Sequence, residues 1–597
     1  MKSVATLLLS IAPFALATAH APPLLPEPAV AAIVNELSGE TAKRNLEGLA
    51  RLHRQRGSEG FRAAAALIAE RARAYGLADV QVLEFPADGK IMYGTQRARL
   101  GWDATEGELS ELRSGTAFKV ASFAATPVAL AEDSESGAVT ADLVDVGAGT
   151  KESDYAGKNV RGALVLASAQ PGAVQDLAVG RFGAAGIVSY AQNQPTAWSG
   201  DNDNQVRWGH LESFSKNPTF AFMVSLKTAR GFVERLRRGE SIRMHALVKA
   251  GQHPSAYQVV TGVIPGADPK LRDQEIAFSC HLDHQRPGAN DNASGCVTIL
   301  EVARTLQKLI GEGTLARPAR TLRFFWPPEV EGTVTLLNAK PDFAARIKAA
   351  IHMDMVGGGP ETKAVFHVTR GPASLPSFVH DIAWAFADWA NVETYDFAAT
   401  GVASYPLVAP EGGKEPLRAE YSPFSMGSDH DVYQDSSFGI PSIYLNDWPD
   451  RYIHTDLDTA ANIDPTKLKR AAFIGAASGY FLAGFAPRDV EPAERAVAAG
   501  ALARASLALR RHSASGPAER YEAAARESVR EFAGSPAPSR RNPAARTKGD
   551  AALVFRRVKS PRGPLMVFGY DYFADHAAAA GIATPRLISY EGEWGAG

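Results

Sequence analysis

Cysteine is almost missing from this chain: in 597 residues there are two, Cys280 and Cys296. Two thiols cannot build a disulfide framework, so the hydrophobic core has to stabilise the fold even in an oxidising compartment. The pair flanks one short loop, a spacing that suits either a bridge or two buried thiols. A surplus of either charge is missing too. With 63 basic and 65 acidic residues the formal net charge is −2, which leaves no global field to draw in nucleic acid or an anionic membrane. Nucleic acid is therefore not an expected partner. The N-terminus, "MKSVATLLLSIAPFALATAHA", has an apolar run from about Val4 to Leu16 that is too short to span a bilayer. Lys2 precedes the run, and Ala19 and Ala21 follow it in the A-x-A arrangement that signal peptidase prefers, so residues 1–21 read as a cleaved signal peptide. With no cysteine beside the cleavage site a lipoprotein is disfavoured. The prediction is a secreted or periplasmic protein without a membrane span after cleavage.

The chain does have the composition of a globular protein, 45% hydrophobic and 21% charged, and enough length for several domains. Residues 22–111 open an α/β unit: Phe61, Ala64, Ile68, Ala72 and Tyr75 recur at helical spacing up to Gly76, and "DVQVLEF" then alternates as a strand does. From 112 to 250 the texture changes to short β-like runs between Gly and Asn turns, which predicts an inserted β-rich domain. Residues 251–486 return to alternating strands and helices, among them "EIAFSCH", "TLRFFW", "AAIHMDM" and "IPSIYL". That alternation predicts an α/β fold with a mixed, mostly parallel sheet flanked by helices and with functional groups at the carboxyl ends of its strands. Residues 487–597 read as a helical extension, a Pro/Ser/Arg linker and a terminal segment.

Metal-binding residue types cluster at those strand ends. "HLDH" follows the first strand with His281 and Asp283, "PPEVEG" follows the second with Glu329 and Glu331, and Asp354 closes the third. Asp291 opens a helix in "GANDNASG", and His454 lies in "YIHTDLDT". Imidazole and carboxylate in such a set suit zinc or a similar divalent ion. A pair of ions about 3.5–4 Å apart needs one bridging carboxylate, capping ligands for each ion, and a water whose pKa the ions lower. Asp291 is the candidate bridge, and Asp283, two residues from His281, could orient its imidazole.

In order and spacing, "CHLDH", "PGANDNASG", "PPEVEG", "IHMDMVG", "SDHDVYQDSSFGIPSIYL" and "YIHTDLDT" resemble the zinc exopeptidase family of secreted leucyl-type aminopeptidases, glutamate carboxypeptidase and the transferrin receptor. The resemblance covers roughly 40–110 and 251–485. Residues 112–250, with "GKNVRGALVLAS", resemble the protease-associated domain that many members carry. The resemblance implies His281 and Asp354 on one zinc, His454 on the other, Asp291 bridging and Asp283 behind His281. It also places Asp429 and His430 near the substrate. Members usually read Glu-Glu-x-Gly, the first glutamate being the general base and the second a ligand. Laid on "PPEVEG", the base is Glu329 and the ligand position holds Val330, so either Glu331 substitutes as ligand or the second zinc site is weak. The activity implied is metal-dependent removal of N-terminal residues from peptide substrates. Carboxypeptidase or dipeptidase action, a silent binding protein on the same scaffold, and a single-zinc acyltransferase of the glutaminyl-cyclase kind stay open as alternatives.

Overall fold

The computed structural model describes residues 20–198, 200–510 and 518–534, together with two short strands at 566–567 and 570–571. Most of the signal-peptide reading and most of the terminal segment lie outside the described residues.

An eight-stranded sheet organises the α/β unit. Across the sheet its strands run Ala78–Ala87, Ser255–Ile264, Thr321–Trp326, Glu275–Ser279, Ile347–Asp354, Ser442–Trp448, Val365–Thr369 and Glu420–Ser422. The four from Thr321–Trp326 to Ser442–Trp448 are mutually parallel, while the strands that flank them, Ser255–Ile264 and Val365–Thr369, pair with them in antiparallel fashion. Strand alternation makes both faces of this centre apolar. Phe278, Phe324 and Ile351 pack with the helices Gly295–Gly311 and Pro465–Gly484, whereas Ala277, Phe325 and Ala350 pack with Glu331–Ala339. The fold is thus the mixed α/β architecture expected from the sequence. Parallel central strands also send their carboxyl ends to one edge, where their loops gather.

A second, seven-stranded sheet is built from residues 101–253, with its own core around Leu109, Leu166, Phe222 and Met244. Its first strand is Gly101–Arg113, which pairs with Arg243–His253. The boundary expected at 112 therefore falls near 101, and the one expected at 250 falls near 253. "GWDATEGELSELR" hid its strand character because its outward positions are so acidic; Trp102 and Leu109 are its buried anchors. After the α/β unit, helix Val490–Arg510 returns to it through Arg504, whose Nη1 donates to Asp381 Oδ1 at 2.7 Å and to the Tyr421 hydroxyl at 2.9 Å.

Candidate metal centre

The loops at that sheet edge converge on Asp291. Its Oδ1 lies 3.2 Å from His281 Nε2, and its Oδ2 lies 3.0 Å from His454 Nε2 and 3.4 Å from His284 Nε2. One carboxylate therefore turns its two oxygens toward two different donor groups. His281, Glu329 and Asp354 form one, and His284, Asp291 and His454 form the other, with ligand atoms inside each group within 4.8 Å of one another. His281 Nε2 and Asp354 Oδ1 are 3.4 Å apart.

Two observations say that these groups fit divalent cations. His281 Nε2, His284 Nε2 and Asp354 Oδ1 are buried without a hydrogen-bond partner, which a folded protein tolerates only where something else satisfies the atom. The far side of two imidazoles is already fixed: His281 Nδ1 donates to the Asp283 carbonyl at 3.1 Å and His284 Nδ1 to the Gln285 carbonyl at 2.6 Å. That leaves each Nε2 with a lone pair aimed inward, the usual arrangement of a metal-ligating histidine. Burial lowers the His454 imidazole below its ordinary value and so favours its neutral form, although Asp291 opposes this. Burial alone would raise the Asp291 carboxyl, but the three imidazoles facing it hold it well below the usual carboxylate range.

Loop packing explains how these residues are held. The fully buried Arg54 donates to the carbonyls of Leu49, Leu282 and Gly288 at 2.8–2.9 Å and thereby pins the loop that follows His281. Asp458 accepts from the amides of Asn290 and Asp291 at 2.7 and 3.0 Å, joining the bridging residue to the loop of His454. Asp283 serves two neighbours: its Oδ1 accepts from the Glu329 amide at 2.6 Å and lies 3.5 Å from His281 Nδ1. Burial, and then the charges of Asp354, Asp291 and Asp283, push the Glu329 carboxyl well above its ordinary value against the pull of His281. Cations between these carboxylates would reverse part of that push.

Three expectations need correction. Glu331 does not reach the centre. It is fully buried between Arg56 and Arg99, 3.3 and 2.5 Å from their Nε atoms, and also accepts from Gln96 Nε2 at 3.1 Å. It begins helix Glu331–Ala339, and the left-handed φ of +53° at Val330 turns the chain so that Glu329 and Glu331 point apart. His284, the last residue of "HLDH", occupies the place where Glu331 was expected. Asp429 and His430 are fully buried and do not line the cavity beside the centre. Asp429 Oδ1 accepts from the Val330 amide at 2.8 Å, and His430 Nε2 donates to the Ser425 carbonyl at 2.7 Å while its ring stacks on Tyr444 at 3.9 Å. Burial pushes Asp429 up to about 7 and His430 down to about 4.

A cavity of about 700 Å³ opens beside Asp291, Glu329, Asp354 and His454. Met355, Phe424, Met426, Trp448 and Ile453 give it apolar walls, and Gln194, Thr196 and Trp208 of the inserted sheet form part of its lining. On the other side of Glu329 lies a smaller cavity of about 110 Å³ with Arg56 and Arg99 in its wall. Nothing in the letters marks Trp208, which follows the polar stretch "QNQPTAWSGDNDNQ".

A parallel-centred sheet with imidazole and carboxylate donors gathered at its carboxyl edge around one central aspartate is the scaffold of a metallohydrolase. The profile of Peptidase family M28 matches residues 259–478, most of this α/β unit. Curated relatives include leucine aminopeptidase 1 of Pyrenophora teres f. teres, 28% identical over 240 residues, and leucine aminopeptidase 1 of Pyrenophora tritici-repentis, 30% identical over 236 residues. Each match covers 34% of this chain and 58% of the relative, so the chain spans under three fifths of the relatives' length. Among solved structures, a zinc aminopeptidase from Bacillus subtilis aligns with a TM-score of 0.51 at 17% identity, covering 74% of this chain and 95% of its own. A peptidase M28 precursor from Shewanella amazonensis aligns with a TM-score of 0.52 at 14% identity, covering 76% and 96%. These two likenesses concern the fold.

Proposed function

We propose that the protein is a secreted or periplasmic zinc-dependent aminopeptidase that removes N-terminal residues, preferentially apolar ones, from peptides. The observation that carries this reading is the bridging geometry of Asp291 between His281 with Asp354 on one side and His284 with His454 on the other. Zinc ions held by these residues would polarise the scissile carbonyl and acidify a water near it. Glu329, whose amide is fixed by Asp283, is the carboxylate placed to take a proton there and return it to the leaving amine. The second ion site takes imidazole from His284 where relatives of this family use a glutamate, so Val330 does not cost the chain its second ion.

The cavity supports the choice of terminus. Among the described residues that line it there is no lysine or arginine, so no side-chain cation is placed there to pair with a substrate's terminal carboxylate. Arg56 and Arg99, the nearest cations in the smaller cavity, are engaged by Glu331, and Arg56 also by Glu132 and Asp133. Among the described residues no helix is long and apolar enough to cross a membrane, and the N-terminal segment supports export.

The test is a panel of peptides with free or acetylated N-termini and with apolar or acidic first residues, assayed before and after chelation. Cleavage confined to free N-termini, abolished by chelator and restored by zinc or cobalt, is the expected outcome. Full activity in excess chelator after long dialysis would remove the metal mechanism, and cleavage of N-blocked peptides from the carboxyl end would remove the aminopeptidase reading.

A further inference from the structure

His454 lacks the outer partner that the other two imidazoles have. His281 and His284 each donate Nδ1–H to a backbone carbonyl, but His454 Nδ1 is buried with no hydrogen-bond partner. Its backbone is also unusual for a residue other than glycine, with φ at +60°, a conformation that persists only where surrounding contacts enforce it. Metal-ligating histidines generally have ring orientation fixed by a hydrogen bond from the distal nitrogen. Something else has to fix this one.

That contact comes from the inserted sheet. The Trp208 indole stacks on the His454 ring at 3.9 Å between centroids and 18° between planes, and on the His284 ring at 4.9 Å and 19°. One indole face therefore covers both imidazoles of the same ion site. The backbone beside it is tied to the loop of His454 as a short antiparallel pair: Trp208 N donates to the His454 carbonyl at 2.8 Å, and Asp456 N to the Val206 carbonyl at 3.0 Å. Val206 N closes the ladder on Asp456 Oδ1 at 2.9 Å. Gln285, next to His284, reaches the Gly209 carbonyl through Nε2 at 3.2 Å.

Resting on the two-ion reading above, we infer that Trp208 is a positioning residue for the His284–Asp291–His454 site, and that the inserted sheet helps to build that ion site as well as walling the cavity. Stacking fixes the plane of His454 where no hydrogen bond does, and holds His284 within 19° of the same indole plane. The first site, His281 with Asp354, lies outside this clamp.

The full chain, stripped of metal and titrated with zinc against a competing chelator, separates the two sites. Wild type is expected to bind two ions. Trp208→Ala is expected to weaken one of them by roughly 10–100-fold, the usual loss when a ligand's outer support is removed, and to leave the other unchanged. Trp208→Phe should recover most of the loss, and the losses from Trp208→Ala and His454→Ala should be less than additive in the double variant. Cobalt loading adds a spectroscopic readout, because the visible bands of the weakened site should change in shape. Two ions bound by Trp208→Ala with wild-type affinities would overturn the inference, as would an equal weakening of both ions together with loss of thermal stability, the mark of a merely structural residue. Failure of wild type to bind a second ion would overturn the two-ion reading itself and this inference with it.

Discussion

At the scale of single residues, the short motif "PPEVEG" holds two glutamates with opposite fates. Glu329 faces the centre, so Glu329→Gln should keep both ions while lowering turnover by roughly 10²-fold or more, the cost of removing a general base. Glu331→Gln should leave metal content unchanged and lower stability, because it uncouples a buried carboxylate from Arg56 and Arg99; a loss of about 3–5 kcal/mol is typical when one partner of a buried pair is removed. Metal analysis beside thermal unfolding checks both. Loss of metal from Glu331→Gln would return that residue to the ligand set. The sequence made His281, Asp291 and Asp354 legible because each stands at a strand end or opens an element, and His454 because "YIHTDLDT" follows them in a recognisable order. It did not reveal His284, because the Glu-Glu-x-Gly pattern points to the residue beside the valine that interrupts it. The left-handed turn at Val330 that separates the two glutamates leaves no mark in the letters, since a β-branched residue seldom adopts such a φ.

At the scale of elements, the site depends on loops after parallel strands, and loops need anchors. Arg54, from the segment before helix Glu59–Ala74, supplies one by donating to carbonyls on both sides of the 282–288 loop. Arg54→Met would leave the Leu282 carbonyl without its donor, a cost of about 1–3 kcal/mol, and would take one of two donors from the Leu49 and Gly288 carbonyls. The expected result is a lower melting temperature together with faster amide exchange across 282–291. Unchanged exchange there would show that the loop holds itself. Strand–helix alternation exposed the parallel centre of the sheet in the sequence, because fully buried strands read as apolar runs. Strand Gly101–Arg113 was missed because its partners lie far along the chain and its outward face is acidic, so its pairing, and not its composition, defines it.

For the whole molecule, two separately cored sheets imply two responses to acid. Burial alone would raise Glu111 in the inserted sheet, but hydrogen bonds and charge from Arg113 and Arg235 outweigh it and hold the carboxyl at about 2. A carboxyl depressed in the folded state contributes stability above its unfolded value of about 4.3, and that contribution disappears as pH falls toward 2. Glu111→Gln should therefore flatten the acid limb of the insert's unfolding between roughly pH 5 and pH 2, followed by near-ultraviolet dichroism, while metal content at neutral pH stays as in wild type. An acid limb identical to wild type would mean that the pair carries none of the pH dependence.

The antiparallel tie between residues 206–208 and 454–456 also bears on when the protein becomes active. Donors to one ion site come from positions 284, 291 and 454, with their indole cover at 208. A chain emerging from the ribosome, or threading through a membrane in extended form, cannot hold that ion until the last of these segments has docked. The proposed ion site is thus completed only after residues 454–456 have docked against 206–208.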